Sequence, residues 1–219
     1  MLRPYRFMPP EHPERPQELP VRSLEVFERD GRSARALRVF CPPRHASVAA
    51  RTCTACPFAQ TVSETTVTCA PPALPGGREA APDNPLFLGP DALALRTPVG
   101  AVCALRSVAV RVDVPVARAR RLLDRDPFVV VLTEDDRVRG VLSAAEPSDE
   151  LIALDEIDGR TPALPESAPL IEAIELMLHG HVRLVSVTGE NHHFLGLVAD
   201  LDVLRWAARH NLPPDSKPR

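Results

Sequence analysis

The sequence predicts an α+β chain. A tandem β-α-β-β-α repeat forms a pseudo-two-fold module, and a small β-hairpin module bearing cysteines and a proline-rich arm precede it. Three observations predict this: where the prolines fall, where the cysteines fall, and a pattern that occurs twice. Sixteen of the 25 prolines lie in the first 98 of 219 residues, and their locked φ and missing donors disfavour long continuous helix or sheet there. Four of the five cysteines lie before residue 70. From residue 99 onward the apolar pattern becomes regular and repeats.

Residues 1–22 hold little that can pack and predict an extended or disordered arm. Residues 23–40 contain two alternating apolar runs around Asp30-Gly31, a β-hairpin signal because Asp-Gly supplies the positive φ of a tight turn. The hairpin leads into Cys41 and a module spanning 23–72. Residues 73–96, rich in Pro, Gly and Ala, predict a linker. Two repeats follow, at 97–150 and 151–210, and 211–219 predicts a disordered tail.

Val108 to Ser143 and Ala163 to Ala199 carry the same succession. Each has a short strand, then Pro-apolar (Pro115-Val116, Pro169-Leu170), then a helix with Ala119 or Ala173. A valine-rich strand, a polar turn and Gly-apolar-apolar (Gly140-Val-Leu, Gly196-Leu-Val) complete each copy. The offset is 54 residues at the helix and 56 at the glycine. In the second copy Leu170, Ile174, Met177 and Leu178 share one helical face. A last helix over 200–210 places Leu201, Leu204 and Ala208 on one side, with Trp206 near its end.

A tandem repeat of this kind, ending in Gly-apolar-apolar-(Ser/Thr)-x-x-Asp, resembles the CBS domain pair, or Bateman module, over about residues 97 to 210. The resemblance implies a regulatory rather than catalytic module that binds adenosine-type nucleotides (AMP, ADP, ATP or S-adenosylmethionine) in clefts between repeats and often forms homodimers. The acid that holds ribose hydroxyls falls on Asp202 in the second copy and on the longer Glu146 in the first. The hydroxyl that contacts phosphate falls on Ser143 in the first copy and is replaced by Ala199 in the second. Arg183 lies where family members often place a phosphate-facing base, and Val185 replaces the usual proline. Each copy therefore keeps half of the pair. The same residues have structural uses: Ser143 and Glu146 form a helix capping box, and Asp200 and Asp202 complement a helix N-terminus.

Cys41, Cys53, Cys56 and Cys69 are spaced C-x11-C-x2-C-x12-C. Cys-x-x-Cys places two thiolates on one edge of a tetrahedron, and flanking cysteines can supply the other edge. The segment resembles a zinc ribbon or knuckle, and structural zinc would staple a stretch too poor in large apolar groups to form a core. His45 could replace Cys41 as a ligand. An iron–sulfur cluster and a redox Cys-x-x-Cys remain alternatives, although the spacing fits neither common ferredoxin run and no thioredoxin-like βαβ context is present. Cys103 stands alone and predicts a small buried hydrophobe.

Net charge is −3, which argues against gripping nucleic acid through a basic surface, though the cysteine module leaves such a partner open. No apolar run approaches membrane-spanning length and the start lacks a signal-peptide core, so a cytoplasmic location is expected. No Gly-rich phosphate loop, nucleophile elbow or paired acid–base constellation is present, and no enzyme activity is expected. The expected function is a sensor that couples a zinc module to a nucleotide-binding CBS pair. The alternative is a ligand-free dimerisation scaffold whose zinc module binds a protein or nucleic acid.

Overall fold

The computed structural model describes residues 16–70, 94–143 and 161–211. The first group holds β1 (Gln17–Pro20), β2 (Arg22–Phe27), β3 (Ser33–Cys41), β4 (Ala46–Ala49), β5 (Ala59–Val62) and β6 (Thr66–Cys69). The second holds α1 (Val99–Val102), β7 (Arg106–Arg111), α2 (Val116–Leu123), β8 (Phe128–Leu132) and β9 (Val138–Ser143). The third holds β10 (Ala163–Pro165), α3 (Leu170–His179), β11 (Leu184–Thr188), β12 (Phe194–Ala199) and α4 (Asp200–Asn211).

The two repeats are β7-α2-β8-β9 and β10-α3-β11-β12. In both, the first two strands are parallel and the third returns antiparallel. Gly140 pairs with Val131 and Gly196 with Val187, and each ladder slips at the next residue, between Val131/Leu132 and Val187/Thr188. The internal repeat thus extends to the position of a β-bulge. Pro115 and Pro169 stand just before α2 and α3, where a missing N–H leaves no helical bond unmade.

The hairpin folds around Asp30-Gly31 as its sequence requires. Gly31 has φ +97°, the Glu28 N–H donates to the Arg32 carbonyl at 2.9 Å, and the Gly31 N–H donates to that of Glu28 at 3.1 Å. Its setting differs from the expectation of a separate module over 23–72. β2 pairs in parallel with β7, from Ser23↔Arg106 to Phe27↔Val110, so the hairpin extends the sheet of the first repeat into the order β4-β3-β2-β7-β8-β9. The strand β1 begins inside the segment expected to be an arm and pairs antiparallel with β6 in a second sheet, β1-β6-β5. β7 carries buried Val108, Ala109 and Val110, and such an edge is satisfied by a paired strand more readily than by water.

Four apolar cores result. Val21, Val39, Ala50, Val67 and Cys69 form one beneath the cysteine-bearing sheet. Val108, Val110, Val129, Val131 and Leu142 pack against α2. Ala109, Val130, Leu132, Phe194 and Leu197 join the two repeats, with Leu24 and Val26 of β2 packed beside them. The last core combines Leu170, Ala173, Val185, Val187 and Val198 with Ala94, Val99, Val102 and Cys103. Residues 97–103, expected at the head of the first repeat, therefore cover the second. The Val99 N–H donates to the Ala168 carbonyl at 2.7 Å and the Ala104 N–H to that of Leu197 at 2.8 Å.

Of the two expected helical faces, that of α3 holds except at Leu178 and that of α4 is rotated. In α3, Leu170 and Ala173 are buried and Ile174 and Met177 pack beside them, while Leu178 is exposed. In α4, Val203 and Trp206 face the core, and Leu201, Leu204 and Ala208 face outward. No helix among the described residues is long and apolar enough to cross a membrane.

Candidate functional site

Where β12 runs into α4, the chain turns at a cleft of about 990 Å³. Its floor comes from the turn at 103–105 and the start of β7, one wall from the end of β9 and the other from the first turns of α4. Ser143 of the first repeat and Asp202 of the second both line it, as does Arg183. The half-motifs kept by the two copies therefore face one space. Glu146, the first-copy counterpart of Asp202, lies outside the described residues.

Asp202 occupies the first turn of α4. Its Oδ2 accepts from the Ala199 N–H at 3.0 Å and its Oδ1 stands 3.6 Å from Arg205 Nη1. Only 14% of the side chain is exposed. Burial pushes its carboxyl above the ordinary 3.8, against the opposing pull of the Ala199 N–H, Arg205 and Arg22, while Asp200 adds to the rise. Asp200 accepts from the Leu201 N–H at 2.7 Å and from Arg183 Nε at 3.2 Å. The Arg183–Asp200 pair is largely exposed and so opens readily toward an incoming anion.

Sequence reasoning missed several groups. Arg106 at the start of β7 lies 3.4 Å from Asp126 and 3.8 Å from Glu25. Trp206 and His210 stack with ring centroids 4.8 Å apart, and both line the cleft together with Arg209. The His210 Nδ1–H donates to the Trp206 carbonyl at 2.8 Å. An i, i+4 aromatic pair in a chain with a single tryptophan was the available signal. The cleft can thus offer a carboxylate for vicinal hydroxyls, guanidinium groups for phosphate and a flat ring for a base.

The cysteines behave differently from expectation. Cys41 closes β3, Cys69 closes β6, and Cys53 and Cys56 lie in and just after a 3₁₀ turn over Ala50–Ala55. All five cysteines are free thiols. Cys53 and Cys69 pack into the apolar core with Val21, Val39 and Val67. Their thiols are raised first by burial and then by the neighbouring cysteines. Among the described residues, no three His, Cys, Asp or Glu side chains are grouped so as to hold a metal ion, so the expected zinc site has no support from this geometry. β1 and the β2–β7 ladder give this segment sheet support beyond what its composition alone suggests. His45 sits at φ +48° after a short 3₁₀ turn. Cys103 is buried as expected, and burial pushes its thiol up to about 11.

The CBS domain family model matches residues 156–209, the second repeat with most of α4. No curated protein matches the chain. Among solved structures, the cytosolic domain of the Mg2+ channel MgtE in complex with ATP is 23% identical, with a TM-score of 0.43 over 51% of this chain. The chain spans about half, 49%, of that domain. The CBS domain of the bacterial CNNM/CorC family Mg2+ transporter is 20% identical over 56% of this chain and 81% of its own, with a TM-score of 0.46. An uncharacterized conserved protein from Pyrococcus horikoshii is 18% identical over 54% and 97%, also with a TM-score of 0.46.

Proposed function

We propose that the chain is a regulatory module that binds an adenosine-type nucleotide in the cleft between β9, β7 and α4. The observation that carries this reading is the convergence of Ser143 and Asp202, from different repeats, on one space large enough for a nucleotide. The half-buried carboxylate of Asp202 accepts hydrogen bonds from vicinal ribose hydroxyls. Arg183 and Arg106 meet the phosphates, and Trp206 offers its ring to the base. Binding favours one arrangement of the repeats and so shifts a pre-existing equilibrium. The chain acts as a sensor and carries out no chemistry on the nucleotide. Calorimetric titration with AMP, ADP, ATP and S-adenosylmethionine tests this. At least one is expected to bind in the micromolar range and to lose binding on Asp202→Ala, and four silent titrations overturn it.

A second reading is supported by the same geometry. Asp202 already caps α4 and Arg183 already pairs with Asp200, so the cleft groups serve the fold without a ligand. On this reading the chain is a dimerisation scaffold. Leu201 and Leu204, 50% and 64% exposed, with Ala208 form an apolar stripe on α4 suited to a second copy of the chain. A structural zinc among Cys41, Cys53, Cys56 and Cys69 is supported by their C-x11-C-x2-C-x12-C spacing and by the packing of Cys53 and Cys69 in one apolar core. Elemental analysis of the purified chain decides it, with one equivalent of zinc expected and less than about half an equivalent overturning the site.

A further inference from the structure

Arg106 opens β7 at a point where three segments of the chain meet. In the β2–β7 ladder it pairs with Ser23. Side chains alternate along a strand, so Glu25, two residues past Ser23, stands on the same face of the sheet as Arg106. Its Oε2 lies 3.8 Å from Arg106 Nη2. Its Oε1 accepts from the Ser33 hydroxyl of β3 at 3.1 Å, so both strands of the hairpin fix this carboxylate. Asp126, in the turn before β8, reaches the same Nη2 with its Oδ2 at 3.4 Å. That oxygen is buried and has no hydrogen-bond partner, so the Arg106 charge is what compensates it. The two acids are sheltered, with 27% and 15% of their side chains exposed, whereas Arg106 is 55% exposed. The base is therefore the solvent-facing member of the trio. Arg106 and Asp126 line the cleft together with Ser143 and with Pro20, the last residue of β1.

We propose that Glu25 of the N-terminal hairpin is a positioning residue for this cleft: with Asp126 it holds Arg106 so that the guanidinium meets the phosphates of the ligand, and the hairpin is thereby part of the anion-binding end of the site. The proposal rests on the nucleotide reading for its ligand, while the hold on an anion needs only the phosphates. A long side chain anchored at one point samples many rotamers, and ordering it when a ligand arrives costs affinity. Two carboxylates on one nitrogen order it beforehand. Both contacts are made through Nη2, which leaves the other nitrogens of the planar fork to a phosphate. The register carries the assignment from sequence to site. β2 brings Glu25, β3 brings Ser33, and the turn before β8 brings Asp126, so the anion-binding end is assembled from both the hairpin and the first repeat. Asp126 also sits two residues before Phe128, which pairs with Ser143 at the end of β9. The hydroxyl expected to contact phosphate and the acid that holds Arg106 thus lie on neighbouring strand ends.

The test titrates the full chain calorimetrically with ATP, inorganic tripolyphosphate and adenosine. Arg106→Met is expected to weaken both anions about tenfold. Arg106→Lys keeps the charge without the planar fork, is expected to recover part of that loss, and serves if the methionine variant fails to fold. Glu25→Asp keeps the charge and shortens the reach, and Ser33→Ala keeps every charge and releases the Glu25 carboxylate. Each is expected to weaken both anions about threefold and to leave adenosine unchanged. A merely structural role would weaken adenosine equally, and that result overturns the proposal. Anion affinities that match wild type in both hairpin variants overturn it as well, and the nucleotide reading then stands without it. If wild type binds tripolyphosphate with this dependence on Arg106 and Glu25 but does not bind ATP, the nucleotide reading fails and the positioning role is upheld. If neither anion binds wild type, both are overturned.

Discussion

Asp202 shows how one carboxylate can hold a helix end and still carry a cost of burial. Its carboxyl is raised above 3.8 by burial, so the folded chain binds that proton more tightly than the unfolded chain does. Stability contributed by this group is therefore greatest at low pH and falls as pH rises from 3.8 through the raised value. Asp202→Asn removes the titration and keeps an oxygen for the Ala199 N–H. It is expected to raise stability at neutral pH by on the order of 1 kcal/mol, and chemical unfolding at pH 5 and pH 7 checks this. A variant less stable than wild type at neutral pH would show that the charge itself holds α4. Cys103 offers a second residue-scale check. A thiol buried against Gly196 and pushed up to about 11 is almost wholly protonated at neutral pH. Iodoacetamide is expected to leave it unmodified in the native chain and to label it on unfolding, and rapid native labelling would show that the 103–105 turn opens.

At the level of elements, α1 and α4 show what pattern reading reached and where it stopped. The helix over 200–210 was legible from its capping acids and length, yet its inward face was assigned to Leu201, Leu204 and Ala208. The structure turns Val203 and Trp206 inward instead. α4 carries two apolar stripes, and periodicity alone cannot rank them; the direction of β12 and the capping contact of Asp202 set the rotation. The outward stripe makes an expectation: Leu204→Glu should leave the melting temperature within about 2 °C of wild type, since surface substitutions change stability little. It should dissociate a dimer if α4 forms the interface, as sedimentation velocity will show. α1 was illegible because its constraint is tertiary. A Cβ at Gly100 would stand 2.9 Å from Glu166 Cβ and from the Glu166 carbonyl and 3.0 Å from Phe40, residues distant in sequence. Gly100→Ala is expected to destabilise by about 1–3 kcal/mol through overpacking where the two sheets meet.

Across the whole molecule, the repeat was legible down to its paired glycines, because two copies of one pattern carry their own control. The union of hairpin and repeat was not. A parallel β2–β7 pair joins segments about eighty residues apart, and nothing in either run specifies a partner rather than merely a strand. Composition suggested a front part that needs a metal to fold; the sheet shows a front part annexed by its neighbour. Leu24 and Val26 pack against the core between the repeats and β2 covers the β7 edge, so the dependence is mutual. Removing residues 1–93 should therefore do more than delete an appendage. It exposes the backbone of a buried strand and the apolar side chains beneath Leu24 and Val26, conditions that favour edge-to-edge association. The fragment 94–219 is expected to melt well below the full chain or to aggregate, and Val26→Asp in the full chain should lower the melting temperature in the same direction. A fragment that stays monomeric and melts with the full chain would mean that the repeats fold alone. The N-terminal sheet would then be a separable partner of the repeats.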